Sequence, residues 1–376
     1  MRFRHPDGTI VHLAYCTNVH PAEDLDGVLD QLARYAEPVR DRLGADSLGL
    51  GLWLAADCAR VLADDDTALA RLRAELAARG LEVVTLNGFP YRAFHAPVVK
   101  RAVYVPDWSE PARLEYTLDL ARVLARLLPD DAARGSISTL PLGWRTPWPA
   151  ERDDAARRQF DLLARELARL DRPVRVAIEP EPGCVIETTG RLRRTLAQVD
   201  TDRIGSCLDL CHLAVAFEDP RAAVAAATPV VKAQVSCALQ ADDPGSPETL
   251  RALAAFAEPR FLHQTRSADG RAWDDLDEAL AAGAPGPWRV HFHIPLHAKP
   301  EPPLTTAHDT LLDTLGVLVG GPAALVDHLE VETYTWDVLP AAHRPGGKHA
   351  IVDGIAGELD WTRDRLLALG LVEVTA

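Results

Sequence analysis

The chain has 376 residues, 47% of them apolar and 25% charged, a balance that fits a folded protein with a substantial core and speaks against disorder or a membrane class. Its formal net charge of −15, spread along the chain, argues against a general affinity for nucleic acid phosphates. The longest apolar runs, such as 48–56, fall far short of the roughly 18 residues that span a bilayer. The first eight residues lack an apolar signal region, so a cytoplasmic protein without direct membrane insertion is expected. Cys16, Cys58, Cys184, Cys207, Cys211 and Cys237 include no Cys-x-x-Cys pair and read as reduced, packed thiols.

Short apolar β-type runs alternate with amphipathic segments. Strands are expected at 10–16, 48–54, 81–86, 135–140, 174–178, 204–209, 230–236 and 329–334, and helices at 25–43, 68–79, 111–127, 153–170, 190–199 and 304–319. Eight such repeats predict an α/β fold, a (β/α)8 TIM barrel in one domain spanning 1–376. The interval between the seventh and eighth strands is too long for one repeat. It contains turn-rich and strand-like pieces, and 237–303 is read as an insertion over the barrel mouth.

In such a barrel the polar residues that end the strands gather at one face, and these ends are rich in them. Glu179 follows the apolar run 174–178 and precedes a proline, which ends the strand and leaves the carboxylate at the mouth; Glu181 is the weaker candidate. Asp209 and His212, in Cys207-Leu-Asp-Leu-Cys-His212, suit a hard carboxylate ligand beside a histidine that binds a second metal or holds substrate, or else a helix cap and a packed histidine. Lys232, Gln234 and Ser236 share one strand face: Gln234 offers a carbonyl oxygen or hydrogen bonds, and Lys232 lies deeper, where it pairs with an acid. His291 and His293 also face together, a spacing familiar for first-row metals, and His263 could join them. Glu332, nearer the strand end, is the stronger ligand, with Glu330 as support or as partner of Lys232. Asn87 closes the third strand as a substrate contact. There is no Walker A motif, no dinucleotide fingerprint and no nucleophile elbow.

Glu after strand five, Asp-x-x-His after strand six, a polar residue on strand seven and Glu ending strand eight resemble the xylose isomerase-like TIM-barrel superfamily, which includes sugar isomerases, ketose 3-epimerases, inosose-type dehydratases and endonuclease IV. More narrowly, Tyr15-Cys-Thr-Asn-Val-His20, Thr85-Leu-Asn-Gly-Phe-Pro-Tyr91, His291-Phe-His-Ile-Pro-Leu296 and Glu330-Val-Glu-Thr-Tyr-Thr-Trp336 resemble EboE-type metabolite traffic proteins. The epimerase pattern implies a divalent metal (Mn2+, Zn2+ or Mg2+) on Glu179, Asp209 and Glu332. The strand-seven histidine of that pattern is Gln234 here, so His293, or else His263, completes the expected set. The resemblance also implies Glu179 and Glu332 as proton carriers and His212 as a substrate contact. The expected function is a metal-dependent isomerase or epimerase of a sugar or cyclitol in a metabolite pathway, alongside possible pathway proteins. The alternative is a non-catalytic carrier or scaffold of that pathway, favoured by Gln234.

Overall fold

The computed structural model of the protein describes residues 1–341, 344, 346 and 349–374. Eight parallel strands form the barrel: Ile10–Cys16, Leu48–Trp53, Leu81–Asn87, Gly135–Thr139, Val174–Ile178, Ile204–Asp209, Val230–Val235 and His328–Val331. Each pairs with the next, and the last returns to the first through His328 with His12 and Val331 with Tyr15, which closes the sheet. Most residues of these strands are buried on both faces, as apolar and small side chains allow when helices cover the outside. The strand Arg2–Arg4 runs antiparallel beside the first barrel strand and is itself edged by Val372–Val374.

The expected helices are present with shifted ends. The segment 25–43 is helical throughout but passes through a π turn at Leu32–Ala36. Asp65 caps Asp66–Ala78 by accepting from the Thr67 and Ala68 amides, and Thr188 caps Thr189–Leu196. Pro111–Leu127 and Ala150–Leu167 pack outside the sheet. Residues 304–306 depart from expectation: Leu304–Thr306 is a strand, and the helix begins at His308. Helices at Ala56–Asp64, Pro220–Ala227 and Ala350–Ala368 complete the surround.

Between the seventh and eighth barrel strands the chain forms a second, antiparallel sheet of Ala238–Ala241, Thr265–Ser267, Ala272–Trp273, Trp288–His293 and Leu304–Thr306. The helices Pro247–Ala254 and Leu276–Ala282 join it. The amides of Val99 and Lys100, in the loop after the third barrel strand, donate to the Arg260 carbonyl. That tie brings the second sheet against the barrel mouth, where Phe94 and Phe261, tilted against each other, each pack edge to face with Tyr334. Among the described residues no helix is long and apolar enough to cross a membrane.

Glycine at 51 has a direct structural cause. A Cβ there would sit 1.1 Å from Glu330 Oε1, so the second barrel strand gives up a side chain to admit Glu330 into the barrel. Lys232, fully buried, meets that carboxylate at 2.5 Å and donates to the Leu86 carbonyl at 3.2 Å.

Candidate metal centre and active site

Two of the acids at the mouth sit one residue beyond a strand, held by the last rung of the ladder. The Glu179 amide donates to the Thr139 carbonyl at 3.0 Å, and the Glu332 amide to that of Val235 at 3.2 Å. Each backbone therefore keeps its strand direction for one residue more, and both side chains project over the barrel. Asp209 is the last residue of the sixth strand and also the cap of the helix Leu210–Val215. Its Oδ1 accepts from the His212 amide and the Ser236 hydroxyl, both at 2.8 Å. Capping and ligation are compatible here, because Oδ2 remains free.

Glu179, Asp209 and Glu332 place ligand oxygens within 4.8 Å of one another, and Asp209 forms a second such group with His212 and His293. His293 comes from the second sheet, and its Nδ1 donates to the Glu332 carbonyl oxygen at 2.7 Å. That bond leaves the Nε2 lone pair facing the carboxylates, 3.9 Å from Asp209 Oδ2. Such an outer hydrogen bond is the usual device for presenting an imidazole to a metal.

Glu179 Oε2, Asp209 Oδ2 and His293 Nε2 are buried without a hydrogen-bond partner. Burying one such atom unsatisfied costs on the order of 1–3 kcal/mol, and these three, spread over two groups joined at Asp209, are donors that suit a hard or borderline divalent cation. The residues present fit such an ion: Glu179, Asp209, Glu332 and His293 would hold it. Lys232 is already paired with Glu330, and its attraction only partly offsets the burial of Glu179 and Glu332.

The electrostatics agree. Burial pushes the Glu179 carboxyl up to about 8, with the attraction of His212 opposing and the repulsion of Asp209 adding. Glu332 is raised well above the carboxylate range by burial, then by Glu179 and Asp209. His212 is held well above its ordinary value: burial lowers it, but the carboxylates of Asp209 and Glu181 outweigh that.

Several residues stand elsewhere than their expected roles require. Asn87 lies behind Glu332: its Nδ2 donates to Glu332 Oε1 at 2.9 Å, alongside Asn18 Nδ2 at 2.7 Å. Lys232 lies in the layer beneath with Glu330, away from any substrate. His263 is fully buried with both ring nitrogens engaged, Nδ1 on the His291 carbonyl and Nε2 on Glu258 Oε1, each at 2.9 Å, so it does not reach the acids. Gln234 faces the interior and is fully buried, with both amide atoms unpaired. His212 lines the cavity as expected. Asn18, Tyr104, Tyr334 and the full participation of Glu181 and His291 went unrecognised in the sequence; the Asn18 signal was its place just past the first strand.

The cavity over these groups encloses about 510 Å³, counting its opening to solvent. Glu179, Glu181, His212, His291, His293 and Glu332 form its polar floor, and Phe89, Phe94, Val99, Phe261 and Leu262 are among its apolar walls. It is a half-open pocket with a polar floor and apolar walls, the make-up of a small-molecule site.

Comparison with curated proteins finds no match. Among solved structures, a xylose isomerase-like TIM barrel protein from Mycobacterium smegmatis in complex with magnesium is 15% identical, with TM-score 0.53 over 97% of this chain and 94% of that one. An L-ribulose 3-epimerase is 12% identical, with TM-score 0.53 over 96% and 95%. The probable 3-DHS dehydratase AsbF from Bacillus anthracis is 13% identical, with TM-score 0.51 over 94% and 98%. At such identities the likeness establishes the fold. The sequence profile for the xylose isomerase-like TIM barrel matches residues 40–303, more than half of the chain, and the protein belongs to that family.

Proposed function

We propose that the protein is a divalent-metal-dependent isomerase or epimerase acting on a sugar or cyclitol, with Glu179, Asp209, His293 and Glu332 as metal ligands. The observation that carries this reading is a pair of ligand groups joined at Asp209, one with Glu179 and Glu332 and one with His212 and His293, in which Glu179 Oε2, Asp209 Oδ2 and His293 Nε2 are buried and unpaired. Solved structures of like fold that are named as D-psicose and L-ribulose 3-epimerases support it.

A divalent ion bound there would polarise a carbonyl and its neighbouring hydroxyl and so acidify the carbon between them. Glu179 and Glu332 move the proton. Burial pushes both carboxyls up in the metal-free site; with the ion bound the two carboxylates act in turn, one taking the proton from the carbon and the other returning it. Asn18 and Asn87 hold Glu332 by donating to its Oε1, which leaves the other oxygen for the ion or the proton. The His293 bond to the Glu332 carbonyl ties this acid to the second sheet. The resemblance of the segments around Asn18, Asn87, His293 and Glu332 to metabolite traffic proteins supports a role in a metabolite pathway.

The test is proton exchange. Protein loaded with Mn2+ is incubated in D2O with a panel of ketoses and keto-cyclitols, and deuterium at the carbon beside the carbonyl is followed by NMR. Exchange is expected with at least one substrate, and its loss in Glu179→Gln and Glu332→Gln. A bound metabolite with no exchange and no bound metal would identify a carrier instead.

A further inference from the structure

The floor of the cavity is polar and its walls are dry, a sharper division than a sugar with a hydroxyl on every carbon requires. Two segments build the walls. Phe89, Phe94 and Val99 belong to the loop after the third barrel strand, and Phe261 and Leu262 to the segment between the seventh and eighth. The Phe94 and Phe261 rings lie 5.2 Å apart, centre to centre, and meet the Tyr334 ring at 5.4 and 4.9 Å.

The polar atoms along these walls are already engaged. The Phe89 amide donates to Asn87 Oδ1 at 3.0 Å, and its carbonyl accepts from Arg113 Nη1 at 3.1 Å. The Pro90 carbonyl accepts from Trp53 Nε1 at 2.8 Å and from the Tyr116 hydroxyl at 3.1 Å. The Val99 and Lys100 amides are spent on the Arg260 carbonyl. The Tyr104 hydroxyl accepts from Gln264 Nε2 and donates to Glu181 Oε1, both at 2.8 Å. A hydroxyl set against such walls gives up water for little in return, whereas a hydrocarbon gains from the same contact.

Charge narrows the occupant further. The lining carries the carboxylates of Glu179, Glu181 and Glu332, no arginine and one lysine. That lysine, Lys100, lies 2.5 Å from Asp275 Oδ2, and Asp275 is fixed in turn by the amides of His263 at 3.1 Å and Leu276 at 2.9 Å. A divalent ion among the acids offsets only part of their charge. A phosphate or carboxylate entering here meets repulsion and finds no unpaired guanidinium or ammonium to receive it.

We propose that the substrate is uncharged and amphipathic, a sugar or cyclitol carrying an aryl or branched alkyl group that sits among Phe89, Phe94, Val99, Phe261 and Leu262 while its hydroxy-carbonyl end meets the floor. The placing of the hydroxy-carbonyl end rests on the isomerase reading above; the apolar group rests on the walls alone.

A matched set of achiral probes tests it: dihydroxyacetone, its mono-benzyl ether and its mono-phosphate. Exchange at the carbinol carbon in D2O is followed by NMR on Mn2+-loaded full-length protein, and affinity by calorimetry, with circular dichroism checking the fold of each variant. The benzyl ether is expected to exceed dihydroxyacetone at least about tenfold in both measurements, since each buried methylene is worth about fourfold, and the phosphate to fall below it. Phe94→Ala and Phe261→Leu are expected to shrink the ratio of benzyl ether to parent at least about threefold. That ratio is taken within one variant, so loss of folded protein does not imitate the effect. A benzyl ether no better than its parent overturns the proposal, as do a preference for the phosphate and a benzyl preference that survives both substitutions. Tighter binding of the benzyl ether through Phe94 and Phe261, with no exchange from any probe, upholds the apolar subsite and removes the isomerase reading, so the two fail separately.

Discussion

Two layers of buried charge lie one above the other in this barrel, and they solve the same problem differently. In the lower layer Lys232 meets Glu330 at 2.5 Å, both fully buried, in space opened by Gly51. In the upper layer Glu179, Asp209 and Glu332 face one another with no lysine or arginine paired to them; Glu179 and Asp209 each bear an unpaired oxygen, and the Glu179 and Glu332 carboxyls are shifted upward. A charge that is matched within the chain holds the fold. One left unmatched, where a cavity opens, is reserved for a ligand, because burying it otherwise costs too much.

The sharpest contrast is in activity. Glu179→Gln and Glu332→Gln should each lower proton exchange by about 10²- to 10⁴-fold, the contribution of a positioned acid or base. Both should leave metal-free stability unchanged or raised, because each removes repulsion. Steady-state NMR exchange and chemical denaturation check the two halves of that statement. The lower layer should answer in the opposite sense. Lys232→Met leaves Glu330 buried and unpaired, and a loss of about 3–5 kcal/mol of stability is expected, read as a lower urea midpoint. If Lys232→Met were harmless while Glu332→Gln unfolded the protein, the division of roles between the layers would be reversed.

A third buried carboxyl tests whether burial alone sets these shifts. Glu358 accepts from the Leu296 amide at 3.0 Å and the Thr333 hydroxyl at 2.6 Å, and burial pushes it up to about 7 from an ordinary 4.5. The folded form thus holds a proton that the unfolded form has released. Its contribution to stability is complete below about pH 4.5 and is lost as pH rises through about 7, amounting to at most about 3 kcal/mol. Glu358→Gln keeps the accepting oxygen and should flatten this slope, seen as the difference between variant and wild type in melts from pH 5 to 8. An equal slope in the variant would place the titration elsewhere.

All eight barrel strands were legible because a buried parallel strand is a short apolar run with a polar residue at its end, as in Val174–Ile178 followed by Glu179. Glu179, Asp209 and Glu332 followed from that rule. The helices Ala56–Asp64, Pro220–Ala227 and Ala350–Ala368 were not seen. The second is short and mostly alanine, which blurs its periodicity, and the third follows the breaker-rich run 340–347. His263 and His291 looked alike in sequence. What separates them is tertiary: Glu258 and the His291 backbone occupy both nitrogens of His263, while His291 Nε2 faces His212. Glu181 looked secondary because it lies past the strand, yet Gly183, at φ 87° and with no room for a Cβ beside Trp144, allows the loop that returns it to the floor. No periodicity reports such a turn.

The smallest expected effect lies between the layers, at Ser236. Its hydroxyl donates to Asp209 Oδ1 at 2.8 Å and accepts from the Cys211 amide at 2.9 Å, so it aims the carboxylate without touching the cavity. Ser236→Ala should cost about 1 kcal/mol of metal-free stability, the net worth of one such hydrogen bond, and weaken cation binding about tenfold or somewhat more. The two losses are separable, because thermal melts with and without Zn2+ report their sum and the first alone. If the variant loses the same stability under both conditions, Asp209 is a helix cap and nothing more. A larger loss in the presence of the ion means that the hydroxyl orients a ligand, and that the upper layer is tuned for binding where the lower one is tuned for holding.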